Sequence, residues 1–142
     1  MIPRLDSARR RFRLAVVIVL LMAPVRSVAE EPRAHDEGWV APSKASTKAN
    51  PLANDPGAVG GGEKLFQQRC ASCHGPDGRG TSKAPDLTHA IVQAQSDGAL
   101  YWKIGSGNSR QGMPSFSFLP PLQRWQLVLH LRATPLKRGE EP

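Results

Sequence analysis

Cys70-Ala71-Ser72-Cys73-His74 is the stretch on which the reading of this chain turns. Cysteines three apart lie on the same side of a helical turn. A histidine directly after the second holds a nitrogen donor beside two thiols. This is the arrangement that attaches a haem covalently: each sulfur adds to one vinyl group, and the imidazole takes an axial position on the iron. A closed zinc site needs four ligands, and the chain has no second cysteine pair. A thioredoxin-like redox pair would need alternating strands and helices around it, and these are missing from the pattern. A disulfide across two intervening residues closes too small a loop to act as a staple.

Upstream, residues 1–29 do not read as part of the domain. Arg4, Arg9, Arg10, Arg11 and Arg13 form a basic head, Leu14 to Val25 is apolar except for Pro24, and Ser27-Val28-Ala29 places small residues at a cleavage site. This is the pattern of a secretory signal peptide cleaved after Ala29, and it predicts a periplasmic protein. The alternative is an uncleaved membrane anchor, but the apolar run is short for a bilayer span. No cysteine near the cleavage site supports a lipid anchor. Arg9-Arg10 before Phe12 has a faint twin-arginine character, which is set aside because attachment of haem outside the cytoplasm requires an apoprotein that crosses unfolded.

The 142-residue chain carries 19 basic and 12 acidic residues, but the first 29 hold six of the basic ones and one acidic. The remainder has 13 basic and 11 acidic residues, a net charge of +2. Nucleic-acid binding therefore has no compositional support. The stretch from about Gly60 to Pro135 is short for a self-sufficient core. A haem at its centre would complete that core, so the apoprotein is expected to fold poorly.

Residues 30–59 are rich in Pro, Ala, Ser, Asn, Asp and Gly, which suits a flexible leader. Trp39 and Asn50-Pro51-Leu52 offer it apolar surface with which to lie loosely against the domain as an extended arm. Gly61-Gly62 opens the ordered part, and Glu63 to Arg69 reads as a short helix running into Cys70. Gly75 to Gly80 is dense in turn residues and lets backbone pass close to a flat ligand. Leu87, Ile91 and Val92 are read as lining a pocket. Ser96 or Asp97 caps a helix through Leu100, Tyr101, Trp102 and Ile104 that Gly105-Ser106-Gly107 stops. A polar loop then delivers Met113, restricted to extended backbone by Pro114. Pro120-Pro121 starts a last helix in which Leu122, Trp125, Val128, Leu129 and the stem of Arg132 recur at helical spacing. Pro135 ends it, and residues 136–142 form a charged tail.

With Gly62-Glu63-Lys64-Leu65-Phe66, the Cys70–His74 motif and Gly112-Met113-Pro114 in place, residues 60 to about 135 resemble a class I monohaem c-type cytochrome. The resemblance is to the small bacterial and cytochrome c6-like group, including the cytochrome domains of cbb3-type oxidase third subunits. It implies an all-α cytochrome c domain of three to four short helices around one covalently attached haem c. It implies Cys70 and Cys73 as attachment sites, His74 as proximal and Met113 as distal iron ligand. Pro85 resembles the proline whose carbonyl accepts the other N–H of the proximal histidine, and Leu87 follows beside it in the haem pocket. Phe66 and Trp125 resemble the aromatic pair where the first and last helices cross, with Gly62 allowing close approach. His130 stands where the family often has another aromatic residue.

Met113 is the only methionine beyond the signal segment, and it sits in a polar glycine-containing loop rather than on an apolar helix face. The histidines that rival it are worse placed: His35 lies in the leader, His89 closely follows the Pro85 turn, and His130 lies on the last helix. Trp102, Tyr101 and Trp125 read as core. Lys103, Arg110, Lys83 and Arg79 read either as a positive rim that steers an acidic redox partner or as a solvated face. The implied function is one-electron transfer between redox proteins such as a dehydrogenase, an oxidase or another cytochrome, without a catalytic residue. The alternatives are a haem subunit held in a dehydrogenase or terminal oxidase complex, or a haem enzyme or gas sensor with displaceable Met113. No membrane span is expected beyond the signal segment.

Overall fold

The computed structural model describes residues 38–136. The expected signal peptide and most of the charged tail lie outside them. The elements are α1 (Ser43–Ser46), α2 (Gly57–Arg69), α3 (Ala71–His74), α4 (Ala90–Gln93), α5 (Asp97–Ser106), a 3-10 turn (Ser109–Gln111) and α6 (Pro121–Ala133). The described residues form no strand, only an isolated bridge between Asn108 and Met113. The fold is all-α, as expected, and three of its helices run beyond two turns.

Helix α2 begins at Gly57, not at Glu63. Asp55 starts it early: its Oδ1 accepts from Gly57 N at 3.0 Å and its carbonyl from Ala58 N at 3.1 Å. Glycines at 57, 60, 61 and 62 are poor helix formers, at roughly 1 kcal/mol each against alanine. What offsets them is the crossing with α6. A Cβ on Gly62 would lie 2.0 Å from the Gln126 carbonyl oxygen and 2.9 Å from His130 Cβ. The two backbones touch there, and only a residue without a side chain allows it.

One turn on, Phe66 is 2 % exposed and packs with Phe116, Leu119, Leu127 and Leu131. It pairs with His130, ring centroids 4.9 Å apart, and not with Trp125. Trp125 instead stacks on Tyr101 at 4.1 Å, within a second cluster that includes Leu100 and Val128. The reason is that α6 is packed from two sides, by α2 and by α5. Its buried stripe is therefore wide: Trp125 and Val128 face one cluster, Leu127 and Leu131 the other. The helical spacing of Leu122, Trp125, Val128, Leu129 and Arg132 predicts a stripe of which Trp125 and Val128 are buried and to which Leu127 and Leu131 are added. Leu122 is exposed and Leu129 only half-buried. Ile91, expected in a pocket, is likewise exposed, whereas Val92 packs on the second cluster.

Helix α5 is capped by Ser96, whose hydroxyl accepts from Ala99 N at 3.2 Å. The same hydroxyl donates to the Ser46 carbonyl at 2.7 Å, joining α5 to the leader. Residues 38–56 thus lie fastened along α5 and α6, in place of a loose arm. Asn50 is buried, its Nδ2 donating to the Trp125 carbonyl at 3.2 Å and its Oδ1 accepting from Leu52 N. Leu52 packs on the second cluster. Gly98 gives α1 its seat, since a Cβ there would be 2.1 Å from the Ala45 carbonyl oxygen. Arg132 ties the far end together: Nε donates to Asp97 Oδ1 at 2.8 Å, and the other guanidinium nitrogens to the Gln93 and Gln95 carbonyls.

Two outcomes follow from the α2–α6 crossing. Gly62→Ala gains about 1 kcal/mol of helix propensity but forces two backbones apart, an overpacking cost of about 1–3 kcal/mol or more. Urea denaturation of the variant will show a net loss of stability. His130 is pushed below its ordinary value of 6.5 by burial, with Glu63 opposing. The unfolded chain therefore binds a proton at His130 before the folded chain does. Stability is full above about pH 6.5 and falls as the pH drops from there through the lower folded value. His130→Phe, which keeps a ring against Phe66, will flatten that part of the melting-temperature profile.

Candidate functional site

Cys70 closes α2 and opens α3. Its backbone N–H donates to the Phe66 carbonyl at 2.8 Å, and its carbonyl accepts from Cys73 N and His74 N at 3.0 and 2.9 Å. One short turn thus places both thiols and the imidazole on the end of α2. The cysteines are not joined to each other; Cys70 is half-buried against the Phe66 cluster and Cys73 is exposed. Burial, and secondarily Cys73, pushes the Cys70 thiol up to about 11. At neutral pH it is a neutral thiol, the opposite of the low-pKa thiolate that a redox-active pair needs.

His74 Nδ1 lies 2.9 Å from the Pro85 carbonyl oxygen. A carbonyl can only accept, so Nδ1 carries the proton and Nε2 keeps its lone pair. Burial holds the imidazole below its ordinary value, with the Pro85 bond working against it, so the neutral form is favoured. A neutral imidazole with a free, basic Nε2 is a metal ligand in waiting. The loop between the two partners is fastened internally. Gly80 N donates to the His74 carbonyl at 2.8 Å, Leu87 N to the Gly78 carbonyl at 2.7 Å, and Thr81 N to the Ala84 carbonyl at 2.9 Å.

Met113 is presented by a second loop. Asn108 and Met113 exchange backbone hydrogen bonds of 2.9 and 3.0 Å across the turn Ser109–Gln111. Met113, Cys70 and Leu87 all pack against the Phe66 cluster, so the fold brings these three expected site residues to one core. The rival histidines are otherwise occupied. His89 caps α4 by accepting from Ile91 N, His130 lies on Phe66, and His35 falls outside the described residues.

Among the described residues no three His, Cys, Asp or Glu side chains are grouped to hold a metal ion. An imidazole nitrogen at His74 and a thioether at Met113 are too few donors to close a metal site, and such a pair suits a metal that brings its other ligands with it. The two free thiols beside His74 are placed to bond the group that carries that metal. The residues present thus fit a haem.

The four cations expected at a rim or on a solvated face are not alike in burial. Lys103 is buried, its ammonium 4.6 Å from the Trp39 ring centroid, and it takes no part in any exposed rim. Arg79, Lys83 and Arg110 are exposed, Arg79 beside Asp77 at 3.4 Å. Sequence reading overlooked Thr81, Asp86 and Thr88, which brace the loop carrying Pro85. The Asp86-Leu87-Thr88 pattern could have pointed to them, since aspartate accepts from backbone two residues on.

The comparisons agree with this chemistry. A profile of the family described as "Cytochrome C oxidase, cbb3-type, subunit III" matches residues 57–131. Over 43 residues the chain is 51 % identical to "Cbb3-type cytochrome c oxidase subunit CcoP" of Rubrivivax gelatinosus, covering 30 % of this chain and 14 % of that protein. Over 56 residues it is 36 % identical to "Cbb3-type cytochrome c oxidase subunit FixPc" of Rhizobium leguminosarum bv. viciae, covering 37 % of this chain and 20 % of that one. The matched part is thus a fifth or less of these relatives' length. The crystal structure of Cytochrome CL from Methylophaga aminisulfidivorans MPT superposes with a TM-score of 0.53 at 24 % identity, covering 60 % of this chain and 58 % of that one, and shares the fold. No described helix is long and apolar enough to cross a membrane. With more than half its length matched, Cys70–His74 and Met113 included, the chain belongs to the family described as cbb3-type cytochrome c oxidase subunit III; it is a monohaem c-type cytochrome, and its cofactor is a covalently bound haem c.

Proposed function

We propose that the protein is a periplasmic one-electron carrier whose haem is attached through Cys70 and Cys73 and ligated by His74 and Met113. The observation that carries this reading is the His74–Pro85 hydrogen bond, which fixes the tautomer and leaves Nε2 as the donor. When bound, the haem supplies an iron that passes between Fe(III) and Fe(II). The chain does the rest. Cys70 and Cys73 would hold the group by adding their S–H bonds across its two vinyl groups, a redox-neutral attachment. His74 is held in orientation by Pro85. Met113, held by the Asn108 bridge and packed on apolar side chains, supplies a thioether that favours Fe(II) and raises the potential relative to a second histidine. With His74 and Met113 both holding the iron, the chain would leave it no open site for substrate chemistry. The basic and apolar pattern of residues 1–29 supports export.

A second reading, a haem subunit held in a terminal oxidase complex, is favoured by the family description and the names of both relatives. Size-exclusion of the protein from its native extract separates the two: a carrier elutes as a small free species, a subunit with its complex.

The ligation is tested by optical spectroscopy. The ferric wild-type protein will show the weak far-red band of thioether ligation, and its ferrous form will not bind carbon monoxide. Met113→Ala will lose the band and gain carbon monoxide binding. A wild-type protein without the band that binds carbon monoxide is a haem enzyme or sensor, not this carrier.

A further inference from the structure

Thr88 has 0 % exposure, the lowest of the buried polar side chains described. A hydroxyl is buried at a cost unless it is hydrogen-bonded. Here it donates to Asp86 Oδ1 at 2.6 Å, and the Thr88 backbone N–H donates to the same oxygen at 2.8 Å. Asp86 directly follows Pro85. Its backbone N–H therefore belongs to the same rigid peptide plane as the Pro85 carbonyl that accepts from His74. Turning one turns the other.

That plane also touches a second stretch of the loop. A Cβ on Gly80 would lie 2.7 Å from Asp86 N and 2.9 Å from the Pro85 carbonyl carbon, so loop backbone rests directly on the peptide. Gly80 contacts the peptide directly, and the buried Thr88 hydroxyl pins the Asp86 side chain attached to it.

We propose that Thr88, acting through Asp86, is a positioning residue that keeps the Pro85 carbonyl aligned with His74 Nδ1–H and thereby tunes the reduction potential of the haem. The proposal rests on His74 being the proximal ligand. A carbonyl held in line draws the Nδ1 proton and makes Nε2 more basic, which favours Fe(III). Loosening the plane weakens that bond, favours Fe(II) and raises the potential.

The test uses full-length holoprotein as wild type, Thr88→Val and Thr88→Ser. Redox titration reads the potential, and proton NMR of the ferrous form reads exchange of the His74 ring N–H with solvent. Thr88→Val will keep its covalent haem, speed that exchange and raise the potential, by up to a tenfold change in the ferric-to-ferrous ratio, about 59 mV for one electron. Thr88→Ser, which restores the hydroxyl, will return both towards wild type. Unchanged values in Thr88→Val, or equal changes in Thr88→Ser, overturn the proposal. If Thr88→Val does not fold, Asp86→Ala and Asp86→Asn decide: both lose a charge, but only Asn keeps an acceptor oxygen and so keeps the exchange slow. Equally fast exchange in both overturns it. A wild-type protein whose His74 is not bound to iron removes the ligation reading itself, which no variant result can do.

Discussion

A single hydrogen bond, from His74 Nδ1 to the Pro85 carbonyl oxygen at 2.9 Å, is the constraint to which the site answers. It decides the tautomer of the imidazole, and the tautomer decides which nitrogen is left as a donor. Neither partner holds the bond alone. His74 is fixed by the turn at the end of α2, Pro85 by a loop whose backbone bonds close on themselves. The two come from opposite ends of an eleven-residue separation, so the bond exists only because that loop is rigid.

The rigidity of α2 comes in turn from its crossing with α6. Glycines that would weaken an isolated helix are the ones that let the backbones meet, and the stability lost in propensity returns as packing of Phe66, Leu127 and Leu131. The cluster so formed is also the surface on which Cys70, Leu87 and Met113 rest. Folding and haem binding therefore share one core: the side chains that bury α2 against α6 also border the attachment turn and the Met113 loop.

The leader adds a second belt. Trp39, Asn50 and Leu52 bind residues 38–56 to α5 and α6 through a cation–π contact, a buried amide and an apolar side chain. This explains why Lys103, which looks like a surface charge in the sequence, is buried. Its ammonium is stabilised by the face of an indole more than sixty positions upstream.

The Cys-x-x-Cys-His motif, the helical class and the candidate ligands are legible in the chain's primary structure, because each of these is local chemistry. Cys70 and Cys73 are three apart on a turn, Ser96 precedes an apolar run, and Pro120-Pro121 sits where a helix starts. A helix start that depends on a side chain accepting from backbone two residues on, as Asp55 does from Gly57 N, is harder to read, and α2 begins at Gly57 rather than at Glu63. Which faces are buried depends on contacts that form only when the helices pack. The period of α6 suggests one stripe, but two neighbours make it two, exposing Leu122 and pairing Phe66 with His130 instead of Trp125. The partners of Asn50, Lys103 and Arg132 lie 75, 64 and up to 39 positions away, and nothing local in the sequence encodes such pairings. Periodicity tells a residue that it has a buried side, but the identity of what covers that side belongs to the fold.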